Sequence, residues 1–164
     1  MTQYHNIPPV YDKNSKILIL GSFPSVRSRE AQFFYGHPQN RFWKVMSAVL
    51  GCVCPVTTEE KKAMLLSHNI ALWDVIGSCE ITGSSDASIR NVIPNDIASL
   101  AADTAIKSIF ANGATSYNMY KRYCRDQVGI EAIKLPSTSP ANASYSLERL
   151  TAEWGSQLLS VLSE

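Results

Sequence analysis

Residues 33–43 concentrate side chains that could bind a flat ligand and react with it. The segment contains five aromatic residues, and His37, Asn40 and Arg41 lie among them. Aromatic faces stack on nucleic-acid bases, and adjacent polar side chains can read or attack the stacked base. Each residue also has a structural explanation, because His37 could be a structural histidine and Asn40 the N-cap of a following helix. Their concentration in one short segment favours a ligand site.

Two loops follow predicted strands and do not fit the pattern of a core element. The first covers residues 21–39 and begins with the sequence G-S-F-P-S, and the second covers residues 136–144. Ligands of open parallel sheets bind outside the carboxyl ends of the strands, where both loops are expected. Gly21 would let the backbone turn sharply and approach a ligand closely. The glycine spacing matches neither a P-loop nor a dinucleotide-binding fingerprint.

Short apolar runs alternate with longer segments of helical period, which is typical of an α/β domain with a mainly parallel sheet. The runs are nearly continuous in apolar residues, as expected for strands covered by helices on both faces. We predict a three-layer α/β/α fold, with a short, mainly parallel central sheet of about four strands, in a single domain over residues 1–164. The predicted strands are 16–20, 70–74, 106–111 and 130–135, and the predicted helices are 40–50, 58–68, 95–102, 114–125 and 146–162.

The composition excludes several classes of protein. The chain has 164 residues, of which 45% are hydrophobic and 18% are charged, and its formal net charge is +1. Intrinsic disorder requires low hydrophobicity and high net charge, and this chain has neither. Binding to nucleic acid by bulk charge alone requires a strongly basic domain. A role on nucleic acid must therefore depend on a local basic surface.

The charges are unevenly distributed along the chain. Residues 12–44 contain six basic and two acidic side chains, whereas the rest of the chain contains nine basic and twelve acidic ones. Arg and Lys side chains position a phosphate backbone without reading its sequence. Within this basic segment, Arg27, Arg29 and Arg41 are the candidates for phosphate binding. Unrelated surface charges are the alternative explanation.

The sequence shows no sign of secretion, membrane insertion or metal binding. The first ten residues contain a histidine and two prolines and resemble neither a signal peptide nor a transit peptide. No apolar run approaches the roughly 18 to 20 residues of a membrane span. The cysteines at positions 52, 54, 79 and 124 match no disulfide framework or two-pair zinc site. We predict a monomeric, cytoplasmic protein with reduced cysteines, no metal and no other cofactor.

Three blocks of sequence resemble the uracil-DNA glycosylase superfamily. They are G-S-F-P-S at residues 21–25, F-Y-G-H-P-Q-N-R-F-W-K-V at residues 34–45, and L-P-S-T-S-P-A-N at residues 135–142. The first and third blocks look like the hypoxanthine-DNA glycosylase branch, and the second is also similar to the mismatch-specific uracil/thymine glycosylases. The blocks occur in the family's order and span the chain from the first predicted strand to the last helix.

The resemblance implies a monofunctional enzyme of base excision repair that acts on DNA containing a damaged base. Such an enzyme flips the nucleotide out of the duplex and hydrolyses the N-glycosidic bond of a deaminated base, here hypoxanthine, which leaves an abasic site. Tyr35 falls where family members stack an aromatic ring on the extruded base. The implied base pocket comprises Gly21, Ser22, Phe23, Pro24, Tyr35 and His37, and the implied loop that enters the minor groove comprises Pro136, Ser137, Thr138, Ser139 and Asn142.

One position departs from the superfamily's pattern. The third residue of the first block is Asp in uracil-specific members and Asn in mismatch-specific ones, but here it is Phe23, which can neither activate nor orient water. Asn40 is the nearest candidate for the polar role, and it is the catalytic residue that the resemblance to the hypoxanthine branch implies. The third block lacks the histidine of uracil-specific enzymes. Because Glu30 is the only carboxylate between Lys13 and Lys44, we predict a site poor in carboxylates.

The middle of the chain is less informative. Residues 78–91 read as a loop that could form another wall of the pocket, where Asp86 and Ser88 could bond to a base edge. A solvated surface loop explains them equally well. Asn112 fits a plain turn residue, although the amides of the helix after it could hold a phosphate.

Three other functions compete with excision of hypoxanthine. The closest is excision of uracil or thymine from mismatches, which the second block supports. A non-catalytic α/β module that binds a nucleotide or a flavin is the alternative from a different class, and a metal or redox protein is the third. The sequence leaves open the preferred lesion and the preference for single or double strands, since selectivity depends on the shape of the pocket.

Overall fold

The computed structural model describes residues 1–163, and its centre is a four-stranded parallel sheet. Its strands are β2 (Ile17–Gly21), β3 (Ile70–Asp74), β6 (Ser108–Asn112) and β7 (Ala132–Leu135). They lie in the order β3-β2-β6-β7, and every neighbouring pair is parallel. The prediction of a central parallel sheet is therefore confirmed. Glu164, the last residue of the predicted domain, lies outside the described residues.

Helices occupy most of the segments between these strands. The bounds are α1 Val26–Ala31, α2 Phe42–Leu50, α3 Thr58–Ser67, α4 Ile97–Ala102, α5 Ala114–Tyr123, α6 Arg125–Val128 and α7 Leu147–Leu162. Helix α1 was not expected, because it lies within the predicted 21–39 loop and its sequence V-R-S-R-E-A is mainly polar. It begins after Ser25, whose hydroxyl accepts the N–H of Ser28. Within residues 1–163, no helix combines the length and the apolar character that crossing a membrane requires.

The central sheet separates two hydrophobic cores, because successive side chains of a strand point to opposite faces. In β2, Ile17 and Ile19 contribute to a core shared with α2, α3 and α7. Leu18 and Leu20 contribute to a second core on the other face, shared with α4 and α5. All four side chains are fully buried. This arrangement confirms the three-layer α/β/α prediction.

A second sheet, antiparallel and three-stranded, was not predicted. It comprises β1 (Thr2–Tyr4), β4 (Ile76–Glu80) and β5 (Arg90–Pro94), in the order β1-β4-β5. The interpretation of residues 78–91 as one loop is therefore wrong, since only residues 81–89 connect β4 to β5. Strand β5 has mainly exposed, polar residues at its start, so a search for apolar runs cannot detect it.

Helix α7 holds the beginning of the 136–144 loop in place. Its Trp154 is fully buried and is the largest such side chain among the described residues. The Trp154 ring meets the Phe42 ring edge-on, with 5.9 Å between their centroids. Its indole N–H donates to the backbone oxygen of Pro136, at 2.9 Å. The hydrophobic core is thereby coupled directly to one of the two candidate site loops.

Replacing Trp154 by Phe should lower the free energy of unfolding by about 2 to 4 kcal/mol. The substitution removes buried volume and leaves the Pro136 carbonyl without its donor. Thermal and urea unfolding measure the effect. Val56→Ala, at a side chain that is 80% exposed, is the control and should unfold as the parent does. Equal stability of Trp154→Phe and the parent would contradict this account of how the loop is held.

Candidate active site

A cavity of about 370 Å³ lies at the carboxyl ends of the parallel strands. This volume falls in the usual range for small-molecule pockets. All six residues of the implied base pocket line it, and so do Asn40 and three residues of the implied DNA-binding loop. Together these are Gly21, Ser22, Phe23, Pro24, Tyr35, His37, Asn40, Ser137, Thr138 and Ser139. The fold thus brings the three sequence blocks together around one space.

Gly21 ends β2 at a point where no side chain fits. A Cβ atom on this residue would lie 2.4 Å from Oδ1 of Asp74 and 3.1 Å from the hydroxyl of Tyr35. Both distances are shorter than ordinary van der Waals contacts. The absence of a side chain at Gly21 therefore allows a carboxylate and a phenol to approach the end of β2 together.

Tyr35 is held in an unusual backbone conformation beside the cavity. Its φ angle is 54°, in the left-handed region that bulky residues seldom adopt. Its ring stacks on Phe42 at a centroid distance of 4.1 Å. Burial, and then the charge of Asp74, raise the pKa of the Tyr35 phenol, while a hydrogen bond from Asn112 opposes the shift. The phenol is therefore neutral over the physiological pH range.

A chain of hydrogen bonds determines which atoms Asn40 presents to the cavity. The Asn112 amide donates to the Thr138 hydroxyl at 3.0 Å, and that hydroxyl donates to Oδ1 of Asn40 at 2.9 Å. The backbone N–H of Phe42 donates to the same Oδ1 at 2.9 Å. Asn40 therefore bonds to Phe42, the first residue of α2, as well as lining the cavity, although the N-cap position itself is occupied by Arg41. Its oxygen is occupied, and its NH₂ group has no partner among residues 1–163.

The loop from Pro136 to Asn142 is braced from several sides. Thr138 is fully buried, and its backbone N–H donates to Oδ1 of Asn112 at 3.0 Å. The Asn142 amide donates to the backbone oxygen of Ser137 at 3.0 Å. The Arg41 guanidinium donates to the backbone oxygens of Ser139, Asn142 and Tyr145. The loop is thus fixed in place before any ligand binds.

The three candidate phosphate-binding arginines have different environments. The Arg41 guanidinium bonds to the 136–142 loop, as described above. Arg29 donates to the carbonyls of Pro24 and Gly83 and to the Gln3 side chain. Both guanidinium groups therefore hold the protein's own loops together, which argues against a primary role in phosphate binding. Arg27 is exposed. It takes part in none of the hydrogen bonds just described and remains the candidate for phosphate binding.

His37 lines the cavity, and its Nδ1 accepts the backbone N–H of Gln39 at 3.1 Å. The proton of the neutral imidazole therefore lies on Nε2, because Nδ1 is already acting as an acceptor. His37 can donate a hydrogen bond to a ligand. Pro136 and Asn142 are not among the cavity-lining residues and act through the loop that they belong to.

The prediction of a site poor in carboxylates is wrong, because Asp74 and Asp86 both line the cavity. The error has a simple cause, since the prediction considered only carboxylates close in sequence to the first two blocks. Desolvation raises the pKa of the Asp86 carboxyl and Asp74 adds to the shift, while hydrogen bonds from Thr115 and Ser22 oppose it. The Ser22 hydroxyl lies 3.3 Å from Oδ1 of Asp86.

Sequence reasoning also missed His5, which contacts Asp74 from the N-terminal segment. Nε2 of His5 lies 2.8 Å from Oδ2 of Asp74, and each side chain is 4% exposed. Asp74 could have been found, because it ends the strand next to Gly21 and the carboxyl ends of parallel strands meet. For His5 no local signal exists. The contact joins residues 69 positions apart in sequence.

Comparison with known families agrees with this geometry. The model of the family described as the uracil DNA glycosylase superfamily matches residues 8–158. The chain belongs to this superfamily. The resemblance stated from the three sequence blocks is thereby confirmed, and the matched region contains every residue predicted for the site.

Two curated relatives and one solved structure are similar over most of their length. A hypoxanthine DNA glycosylase from Methanosarcina acetivorans is 36% identical over 148 residues, which cover 90% of this chain and 92% of the relative. A hypoxanthine DNA glycosylase from Methanosarcina barkeri is 34% identical over 138 residues, covering 82% and 85% respectively. A solution NMR structure of a candidate uracil DNA glycosylase from Methanosarcina acetivorans has a TM-score of 0.83 and 32% identity, with both chains fully covered.

Replacing Thr138 by Val should disrupt the chain of hydrogen bonds while preserving side-chain shape. The substitution leaves Oδ1 of Asn40 and the Asn112 amide each without one partner in a buried place. We expect the free energy of unfolding to fall by about 1 to 3 kcal/mol. Thr138→Ser keeps the hydroxyl and is the matched control. If denaturant unfolding gave Val and Ser variants of equal stability, the hydroxyl would not be the element that orders this network.

Proposed function

We propose that this protein is a monofunctional DNA glycosylase of base excision repair that removes hypoxanthine from DNA. It hydrolyses the N-glycosidic bond after the nucleotide has flipped out of the duplex, and it leaves an abasic site. The observation that carries this proposal is the arrangement of Asn40, whose NH₂ group is directed by Thr138 into the cavity between the 21–39 and 136–144 loops. The names of the two curated relatives support the choice of base.

The cavity suits a base that enters edge first. It has an aromatic ring in Tyr35, backed by Phe42, and polar groups at its floor and its mouth. Enzymes that act on bases in DNA hold the flipped base by stacking and by hydrogen bonds to its Watson–Crick edge. Tyr35 supplies the stacking surface in this proposal. Its neutral phenol adds no charge that would repel the base.

Cleavage of the glycosidic bond builds positive charge on the sugar and negative charge on the departing base. Because the Asn40 oxygen is occupied, Asn40 can donate a hydrogen bond but cannot remove a proton from water. Its NH₂ group holds the water oxygen or a ring nitrogen of the purine. A strongly dissociative transition state needs little activation of the nucleophile. Preorganised donors of this kind act electrostatically.

The 136–142 loop supports the opened duplex, and its rigidity follows from the contacts of Arg41 and Trp154. A loop that is already ordered loses little conformational entropy when it enters a groove.

Arg27 contributes a phosphate contact at the exposed start of α1. A single domain, a monomeric state, the absence of a cofactor and a cytoplasmic location remain part of the proposal.

One panel of oligonucleotides tests the proposal and separates it from the alternatives. The substrates carry hypoxanthine, uracil, xanthine or a G·T mismatch, in single and double strands, and alkali after incubation reveals abasic sites. Cleavage at hypoxanthine is the expected result. Cleavage at uracil or mismatched thymine alone would favour the mismatch-specific alternative. Cleavage of none of them would refute the glycosylase proposal.

Replacing Asn40 by Ala should lower the single-turnover rate of hypoxanthine excision by about 10² to 10³, the effect of losing one preorganised donor. Asn118→Ala, at an exposed position of α5, is the matched control and should be as active as the parent. Melting curves of both variants separate loss of the hydrogen bond from Phe42 to Asn40 from loss of chemistry. An unchanged excision rate would remove Asn40 from the reaction.

Replacing Tyr35 by Ala should weaken capture of the flipped base by about 1 to 3 kcal/mol, the range for base–aromatic stacking. The measurement is the enzyme concentration that gives half-maximal single-turnover excision. Tyr35→Phe keeps the ring and should lose much less of this affinity. The prediction fails if the Ala and Phe variants capture the base equally well.

A further inference from the structure

A carboxylate from outside the three sequence blocks lies at the mouth of the cavity. Asp86 lines the cavity together with Ser84 and Ser85, and all three belong to the 81–89 loop that connects β4 to β5. Asp86 is exposed, whereas Asp74 is buried at the end of β3. The mouth of the cavity therefore carries an ionisable group that has no part in stacking the base.

The 81–89 loop is held against helix α1. The Arg29 guanidinium donates to the backbone oxygen of Gly83 at 2.8 Å. The backbone N–H of Val26 donates to the Ser84 hydroxyl at 3.0 Å. These contacts join the 81–89 loop to the segment that follows the first sequence block. The loop that carries the carboxylate is therefore fixed beside the cavity before a base enters.

The hydrogen bonds to the Asp86 carboxyl within residues 1–163 come from hydroxyl groups. The Ser22 hydroxyl lies 3.3 Å from Oδ1 of Asp86, and the hydroxyl of Thr115, in the first turn of α5, also bonds to this carboxyl. A hydroxyl can donate or accept, so it suits an ionised and a protonated carboxyl. At Glu60, by contrast, two backbone N–H groups, which can only donate, lower the pKa of the carboxyl. The partners of Asp86 thus allow it to hold a proton and to release it.

The surroundings of Asp86 favour its protonated form. Desolvation raises the pKa of the Asp86 carboxyl, and the charge of Asp74 adds to the shift against the hydroxyl hydrogen bonds. The other titratable groups that line the cavity are Tyr35, whose phenol is neutral, and His37. Arg29 contacts the 81–89 loop through a backbone oxygen. Asp86 therefore keeps its proton to a higher pH than an ordinary surface aspartate does.

The mouth of the cavity is also where a proton would be most useful to a departing purine. A flipped base remains joined to its sugar, so its glycosidic nitrogen stays at the mouth. In hypoxanthine this nitrogen is N9, and the ring nitrogens N3 and N7 lie on either side of it. Each has a lone pair, and a proton on either one neutralises the charge that N9 receives when the bond breaks. A group at the mouth therefore faces N3 or N7.

We propose that Asp86 is the general acid of the reaction and donates its proton to N3 or N7 of the departing purine. The inference rests on the proposed function and adds how the base leaves. As the bond between C1′ and N9 breaks, its electron pair passes into the purine, the O–H bond of Asp86 breaks and an N–H bond forms. Water adds to C1′, and its excess proton returns to the Asp86 carboxylate. The products are an abasic sugar and neutral hypoxanthine, and Asp86 is protonated again.

This step gives the protein a chemical reason to prefer hypoxanthine to uracil. The ring nitrogens of uracil are N1, which is bonded to the sugar, and N3, which carries a hydrogen. Only weakly basic carbonyl oxygens remain to accept a proton from an acid. Because general acid catalysis contributes about 10² to 10⁴ to a rate, assistance that only a purine can use accelerates its excision selectively.

The test is the pH dependence of single-turnover excision of hypoxanthine at saturating enzyme, over about pH 5 to 9. A general acid is active while protonated, so the parent rate should fall as the pH rises through the raised pKa of Asp86. Asp86→Asn should be about 10²-fold slower at low pH and should lose this falling limb. Asp86→Glu keeps an acid and should keep the limb. Asp126→Asn, at a side chain that is 88% exposed, is the control and should match the parent.

Two further measurements address the identity of the donor and of the acceptor. His37→Gln should retain the falling limb whatever its rate, since the acid is Asp86. Replacing deoxyinosine by 7-deazadeoxyinosine or 3-deazadeoxyinosine removes one acceptor nitrogen at a time. The parent should excise one of the two analogues about 10²-fold more slowly than deoxyinosine, and Asp86→Asn should narrow that difference.

The outcomes separate this inference from the proposed function. If the parent excises no hypoxanthine, the proposed function fails first. If the parent excises hypoxanthine and Asp86→Asn keeps its rate and pH profile, if the parent rate rises with pH, or if His37→Gln abolishes the limb, the inference is overturned while the glycosylase proposal stands. Equal excision of deoxyinosine and both deaza analogues by the parent would overturn it even where an Asp86 variant does not fold.

Discussion

The candidate site depends above all on the buried pairing of Thr138 with Asn112. Two hydrogen bonds of 3.0 Å join the residues, one in each direction, and they attach the 136–142 loop to the end of β6. Because the Thr138 hydroxyl accepts from Asn112, its single proton is free to be donated to Oδ1 of Asn40. The direction of donation along this chain leaves Asn40 with a free NH₂ group and no free oxygen. In a place sheltered from water each of these bonds is costly to lose, so the geometry of the catalytic candidate is determined by a residue in another loop.

Close packing at Gly21 and internal hydrogen bonds of the arginines determine the rest of the pocket. Gly21 has no side chain, and this allows Asp74 and Tyr35 to approach one another at the end of β2. The basic segment seen in the sequence does not form a uniform positive rim, because Arg29 and Arg41 donate to backbone carbonyls of the protein. Arginine suits that role, since its planar group reaches several carbonyls at once. Much of the positive charge near the pocket therefore orders loops.

The sequence was sufficient for the parallel sheet and for the two loops at its carboxyl end, because continuous apolar runs and strand-end positions are local features. It was not sufficient for β5, whose polar first residues have no apolar pattern. Nor could it distinguish Arg27 from Arg41. Arg27 is exposed, whereas the Arg41 guanidinium donates to backbone oxygens that lie 98 to 104 residues away in sequence. The pairing of His5 with Asp74 likewise joins distant segments. Local pattern predicts which elements form, whereas the partners of polar side chains depend on how those elements pack.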